Sequence, residues 1–165
     1  MEIVFDSSTL ILLAKIELLR EIMSDNNIII PERVERECLI KESLDAKLIS
    51  ELINEKSIEV KKVDDMKTVK KIKRDFRIDS GEAEALLLAK KFDYPLAVDD
   101  GPTIKACKII NQRFITAIHF LLNCTSKNKI QSEIAIIKLE KLTTYGRYNR
   151  KIIEEAKKHI KGGKI

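Results

Sequence analysis

Short aliphatic stretches alternate with longer amphipathic ones along this chain, and that rhythm leaves few architectures open. Residues 2–5 (EIVF) read as a strand, and TLILLAKIELLREIM after it has helical spacing, with Ser7 or Ser8 placed to cap it. Residues 28–30 form a second apolar strand stopped by Pro31, which suits the first turn of a helix through ERVERECL. Helical pattern continues through SLDAKLISELINE, where Leu44, Leu48, Ile49, Leu52 and Ile53 share one face. IEVKKV alternates as a third strand, Asp64 is placed to cap a short helix, and DSGEAEALLLAKKF is a helix opened by Asp79 or Ser80. YPLAV is a fourth strand ending at Asp99 and Asp100, Pro102 starts the helix TIKACKII, and RFIT is a fifth strand. AIHFLLN then begins a helical tail that runs through IAIIKLEKL and NRKIIEEAKKHI.

Strands that alternate with helices imply right-handed crossovers and a mostly parallel sheet covered on both faces. Such sheets bind ligands beyond the carboxyl ends of their strands, where the strand order reverses. Asp6, Asp99 and Asp100 all stand at strand ends of that kind. With 165 residues the chain has the length of one domain able to bury its own core. No repeat or linker divides it, and the prolines sit beside element boundaries.

Composition removes several function classes. Apolar residues at 44% with charged residues at 35% exclude a disordered chain. The longest unbroken apolar runs, such as residues 10–14, fall far short of the roughly 20 residues of a membrane span. Glu2 and Asp6 stand where a secretory signal would carry basic and then apolar residues, so a cytoplasmic location is expected. Cys38, Cys107 and Cys124 are odd in number and widely spaced, which fits plain thiols in a reducing compartment better than disulfides or zinc. A net charge of +5 favours approach of polyanions without proving a nucleic-acid partner. Abundant Lys, Glu and Ile resemble the usage of proteins with surface ion-pair networks.

Carboxylates gathered at strand ends repel one another unless a counter-charge is present, and hard divalent cations with oxygen ligands supply it. Spacing alone does not bring Glu37 or Glu82 to the same place, since a helical carboxylate is commonly a solvated charge or a cap. The segments VFDSSTLILLAKIELL, IPERVERE, DSGEAEALLLAKK, LAVDDGPTIKAC and FITAIHFL, in that order, resemble the successive motifs of PIN-domain proteins over residues 2–123. The Gly-Glu-Ala-Glu and Asp-Asp forms are similar to a toxin-like branch found in prokaryotes.

That resemblance implies a three-layer α/β fold, a central five-stranded sheet between helices, with the nuclease domain over residues 1–125 and a helical extension over 126–165 packed on it. It implies that Asp6, Glu37, Glu82 and Asp100 are catalytic, and that Asp6, Glu82, Asp99 and Asp100 hold Mg²⁺ or Mn²⁺. Glu84 lies about 200° round the helix from Glu82, so one of the two faces away from the metal, and Glu82 aligns with the family acid. Relatives often carry a further acid where this chain has Pro102, which bears on a second metal ion and on competence.

Ser7 and Ser8 are candidates to hold Asp6 or a water, with helix capping as the plain alternative. Thr116 resembles the polar residue lining the family pocket and is equally placed to cap the next helix. The implied reaction is metal-assisted hydrolysis of RNA leaving 5′-phosphate and 3′-hydroxyl ends. No protein nucleophile is required, and His119 within AIHFLL reads as a core or packing residue.

Residues 61–77 carry eight basic against three acidic side chains, so Lys70, Lys71, Lys73 and Arg74 are candidates to seat RNA phosphates or else form a solvated face. A second basic stretch runs from Arg147 to Lys164, with Tyr148 near its start. The implied partners are RNA, an antitoxin protein and a second copy of the chain, the last meeting helix 10–23 or the tail beyond 130. A catalytically silent module binding RNA or protein is the competing reading. A nucleotide-binding α/β domain is disfavoured, because neither a Gly-x-Gly-x-x-Gly turn nor a Walker-type lysine loop is present.

Overall fold

The computed structural model describes residues 1–162, so Lys164, at the end of the second basic stretch, lies outside the described residues. Five parallel strands form one sheet in the order β3-β2-β1-β4-β5, where β1 is Glu2–Phe5, β2 Asn27–Pro31, β3 Ile58–Lys61, β4 Leu96–Ala97 and β5 Phe114–Ile115. Val4 pairs with Ile29 on one side and with Leu96 on the other, so β1 is central. The chain winds outward from β1 to β3, then returns to lay β4 against the free edge of β1. The strand order therefore reverses between β1 and β4, whose carboxyl ends carry Asp6 and Asp99–Asp100.

Ten helices cover the sheet among the described residues: α1 Ser7–Lys15, α2 Leu19–Met23, α3 Glu32–Cys38, α4 Leu44–Asn54, α5 Met66–Phe76, α6 Ser80–Phe92, α7 Gly101–Ile109, α8 Ala117–Ser126, α9 Ser132–Tyr145 and α10 Arg150–Ile160. Because side chains alternate across a strand, Ile3 and Phe5 enter one core while Val4 enters the other. The first core joins Ile28, Ile30 and Ile58 to α1, α8, α9 and α10, with Phe5 stacked on Phe120 at 5.5 Å. The second joins Ile29 and Val98 to α5, α6 and α7 through Val69, Leu86 and Ala106. The central strands β1, β2 and β4 are buried on both faces and so read as continuous aliphatic runs, whereas β3 at the edge alternates. Leu139, Leu142, Ile153 and Ile160 of the C-terminal helices belong to the first core.

Several boundaries differ from the expected ones for local reasons. The expected helix over 9–23 is broken at Glu17, whose φ of 54° ends α1. Lys138, buried on α9, seals that break by donating from Nζ to the carbonyls of Ile16 at 2.7 Å and Glu17 at 2.9 Å. Pro31 ends β2 with ψ 153° and precedes α3 rather than lying in its first turn. α3 and α4 are separate, and Ser43 caps the second, accepting from Ala46 N. Asp65, not Asp64, caps α5 by accepting from Thr68 N at 3.0 Å.

Candidate functional site

Asp6 follows the last residue of β1 and caps α1, which removes that task from Ser7 and Ser8. Its Oδ1 accepts from Thr9 N at 2.8 Å and its Oδ2 from Ser8 Oγ at 3.0 Å. The side chain is 0% exposed, and burial pushes its pKa up to about 7 despite these hydrogen bonds. Thr9 Oγ1 is buried beside Asp6 and Asp99, where it makes no well-formed hydrogen bond among the described residues but lies close enough to each carboxylate to favour its charged form.

Asp99 and Asp100 leave β4 in different directions. Asp99 bridges to the C-terminal half: its Oδ1 accepts from the Tyr148 hydroxyl at 2.6 Å and its Oδ2 from Ala117 N, at the start of α8, at 2.9 Å. Burial raises its pKa, and burial followed by the Asp99 charge raises that of Tyr148. Asp100 caps α7, with Oδ2 accepting from Thr103 N at 2.9 Å and Thr103 Oγ1 at 2.8 Å. Pro102 lies in the first turn of that helix, where its missing N–H costs nothing.

Glu82 lies in the first turn of α6 and reaches back so that Oε2 accepts from Asp79 N at 2.7 Å. Its pKa is raised by burial, with the charges of Asp100, Asp79 and Glu37 pushing the same way. Glu84 is 6% exposed and points elsewhere: its strongest charge neighbours are Arg33 and Arg36 of α3, which only partly offset the rise caused by burial.

Glu37 is held on α3 by Ser7 Oγ, which donates to Oε2 at 2.7 Å, and by Arg33 at 3.6 Å. Gly81 makes room for it, because a Cβ there would stand 2.8 Å from Glu37 Cδ.

Glu82, Asp99 and Asp100 thus line one cleft of about 280 Å³, together with Ser8, Lys15, Tyr145 and Arg147. Asp6 lies buried behind Ser8, while Glu37 lines an adjoining hollow that shares Ile11 and Lys15 with the cleft. The cationic rim joins Lys15, which the sequence did not single out, to Arg147 at the start of the second basic stretch. Lys15 sits over the Tyr145 ring at 5.1 Å, and Arg147 projects from the α9–α10 connection.

Of the basic candidates on α5, Lys73 reaches the start of α6, donating to Ser80 Oγ at 3.0 Å. Arg74 pairs with Asp75 at 2.9 Å, and Lys70 and Lys71 are exposed. Thr116 does not cap α8 with its side chain; its hydroxyl meets His119 Nδ1 at 2.7 Å. His119 is exposed, so it is not a core residue: α8 turns Ala117, Ile118, Phe120 and Leu121 inward and leaves position 119 outside. The three cysteines are buried and free, and burial pushes Cys38 up to about 12.

Hard divalent cations suit this donor set. Among the described residues, Asp6, Glu82, Asp99 and Asp100 have no salt-bridge partner, and an orphaned hydroxyl lies beside two of them. No three His, Cys, Asp or Glu side chains among the described residues are arranged to ligate one ion directly.

No helix among the described residues is long and apolar enough to cross a membrane. A family model described as a PIN domain matches residues 2–161. No curated protein matches the chain.

Proposed function

Since this chain belongs to the PIN-domain family, whose members are generally nucleases, we propose that its acidic cleft hydrolyses phosphodiester bonds of RNA with the help of Mg²⁺ or Mn²⁺. The observation that carries the reading is the gathering of Glu82, Asp99 and Asp100 over buried Asp6 at the point where the strand order reverses, without a cationic partner among the described residues. Four carboxylates in such a place raise one another's energy unless a cation joins them.

In this reading Asp6, Glu82, Asp99 and Asp100 hold the metal. When bound, a divalent ion makes a water more acidic and offsets the charge on the phosphate. Asp6 is kept in place by Thr9 N and Ser8 Oγ, and Glu82 by Asp79 N, so neither must reorganise on binding. Glu37, oriented by Ser7 and Arg33, lies close enough to Glu82 for their charges to interact and is the acid left to orient a water or take its proton. Lys15, Lys73 and Arg147 supply phosphate contacts at the rim, with Lys70, Lys71 and Arg74 extending the basic surface along α5.

The toxin role rests on the Gly-Glu-Ala-Glu and Asp-Asp forms alone, and it implies an acidic antitoxin partner and a cytoplasmic location. A homodimer is supported by exposed Ile134 and Ile137 on α9.

Purified chain is expected to cleave labelled single-stranded RNA with Mn²⁺ or Mg²⁺ and to stop on addition of chelator. A silent binding module is the second reading, favoured by Pro102 at the extra acidic position. Calorimetry showing bound Mn²⁺ with no cleavage in the same preparation would decide for it.

Gly81→Ala offers a separate check on Glu37. The added Cβ meets the far end of a flexible side chain, so the carboxylate swings away from Ser7 while the backbone stays. Cleavage is expected to fall by about 10- to 100-fold, as a displaced catalytic group does. The melting temperature should hold or rise slightly, alanine being the better helix former. Unchanged cleavage would remove Glu37 from the reaction.

A further inference from the structure

We propose that the apolar cavity beside the acidic cleft is a nucleobase subsite, taking one unpaired base of the RNA whose backbone lies in the cleft. The proposal rests on the reading of that cleft as an RNA site. The cavity measures about 400 Å³, within the range of small-molecule pockets, and lies among α7, α8 and α10. Ile104, Ile118, Leu122 and Ile152 form its walls, and Ile152 stays 47% exposed although it faces other apolar groups. A surface hollow of that composition, in a chain this rich in charge, suits an occupant that is flat or branched and apolar on its faces.

What identifies the occupant is the connection between the two cavities. Asp99, Arg147 and Tyr148 line the apolar cavity, and Asp99 and Arg147 also line the acidic cleft. Arg147 has no carboxylate partner among the described residues, so a free guanidinium stands at the junction. A nucleotide has this same order of chemistry: a phosphate for the guanidinium, then a ring with apolar faces and polar edges.

The cavity also presents edge-reading groups. His119 is held through Nδ1 by Thr116 at 2.7 Å, which orients the ring and leaves its other nitrogen for a ligand, and Glu155 adds an acceptor. Proteins that read single-stranded RNA by sequence splay bases into pockets of this kind and hydrogen-bond their edges. An apolar side chain of a partner protein would fill the walls equally well but would leave Arg147 and the polar edge unanswered.

The test uses the full chain with Mg²⁺ and probes that contain no internucleotide bond: the four ribonucleoside 5′-monophosphates, with ribose 5-phosphate as the base-free control. Backbone amide NMR titrations are expected to give at least one nucleotide an affinity about tenfold above that of ribose 5-phosphate, the scale of one base contact. The shifts should centre on Ile118, Leu122 and Ile152. Leu122→Trp, which fills the cavity, should erase the difference. Ile152→Trp does so from an exposed position and serves if the first variant folds poorly. Equal affinity for the base-free control, shifts lying elsewhere, or discrimination surviving a folded filling variant overturns the proposal and leaves the cavity to a partner protein. Cleavage of RNA by the same preparation keeps the two readings apart. Base discrimination without cleavage sinks the hydrolysis reading and spares the subsite, and cleavage without discrimination does the reverse.

Discussion

Asp6→Asn and Asp100→Asn are each expected to lower RNA cleavage by on the order of 10²–10³-fold while the protein stays folded, the scale on which a single preorganised electrostatic group contributes. Both changes are nearly isosteric. In Asp6→Asn the amide oxygen still accepts from Thr9 N, and the new NH₂ can donate to Ser8 Oγ, so the cap of α1 survives. In Asp100→Asn the oxygen still serves Thr103 N at the start of α7. What is lost is negative charge, which for Asp6 has no cationic partner among the described residues. Single-turnover cleavage with Mn²⁺ is the measurement, alongside circular dichroism. Full activity in both folded variants would reject the assignment of these acids to the chemistry.

The second large effect is on stability. Burial lifts Asp6 from 3.8 to about 7, so at intermediate pH the folded state binds a proton that the unfolded chain releases. The sign follows from the raised value: the contribution is fully present below about pH 4 and is lost as pH rises through about 7. Three pH units correspond to on the order of 4 kcal/mol. Asp99 and Glu82 are raised by burial as well and add slope of the same sign. Metal-free protein should therefore lose stability as pH rises from about 4 to about 7 in urea titrations, and Asp6→Asn should remove the steepest part of that loss. Mn²⁺ at pH 8 should restore about 2.7 kcal/mol at a hundred times its dissociation constant. A flat profile for metal-free wild type would mean that the Asp6 carboxylate is better solvated or paired than its burial implies.

The candidate site was readable to different depths at different residues. Asp6, Asp99 and Asp100 could be placed at strand ends because a short aliphatic run followed by a helical pattern fixes where a strand stops. Glu37 and Glu82 needed the family resemblance, since helical spacing states which face a carboxylate shares but not what that face meets. A further signal is local: Asp-x-x-Thr recurs at Asp6 and Thr9, Asp65 and Thr68, and Asp100 and Thr103, and each pair forms a helix cap. Read as caps, these pairs move the start of α1 to Ser7 and of α5 to Met66, and free Ser7 and Ser8 for Glu37 and Asp6. Lys138 was invisible in the sequence, as a lysine in an amphipathic helix ordinarily faces water; only the packing of α9 on the end of α1 sets its ammonium on two open carbonyls.

By itself the order of residues determined the alternating α/β architecture, the residues at which strands end, and hence a row of acids along one edge of the sheet. These follow from short-range periodicity and capping, which act over a few neighbouring residues. Tertiary structure alone decided that Glu82 turns toward Asp100 while Glu84 turns toward α3, that Glu37 nests against Gly81, and that Tyr148 crosses 49 residues to donate to Asp99. Each of those depends on how helices distant in the chain pack across the sheet, and neighbouring residues carry no record of it.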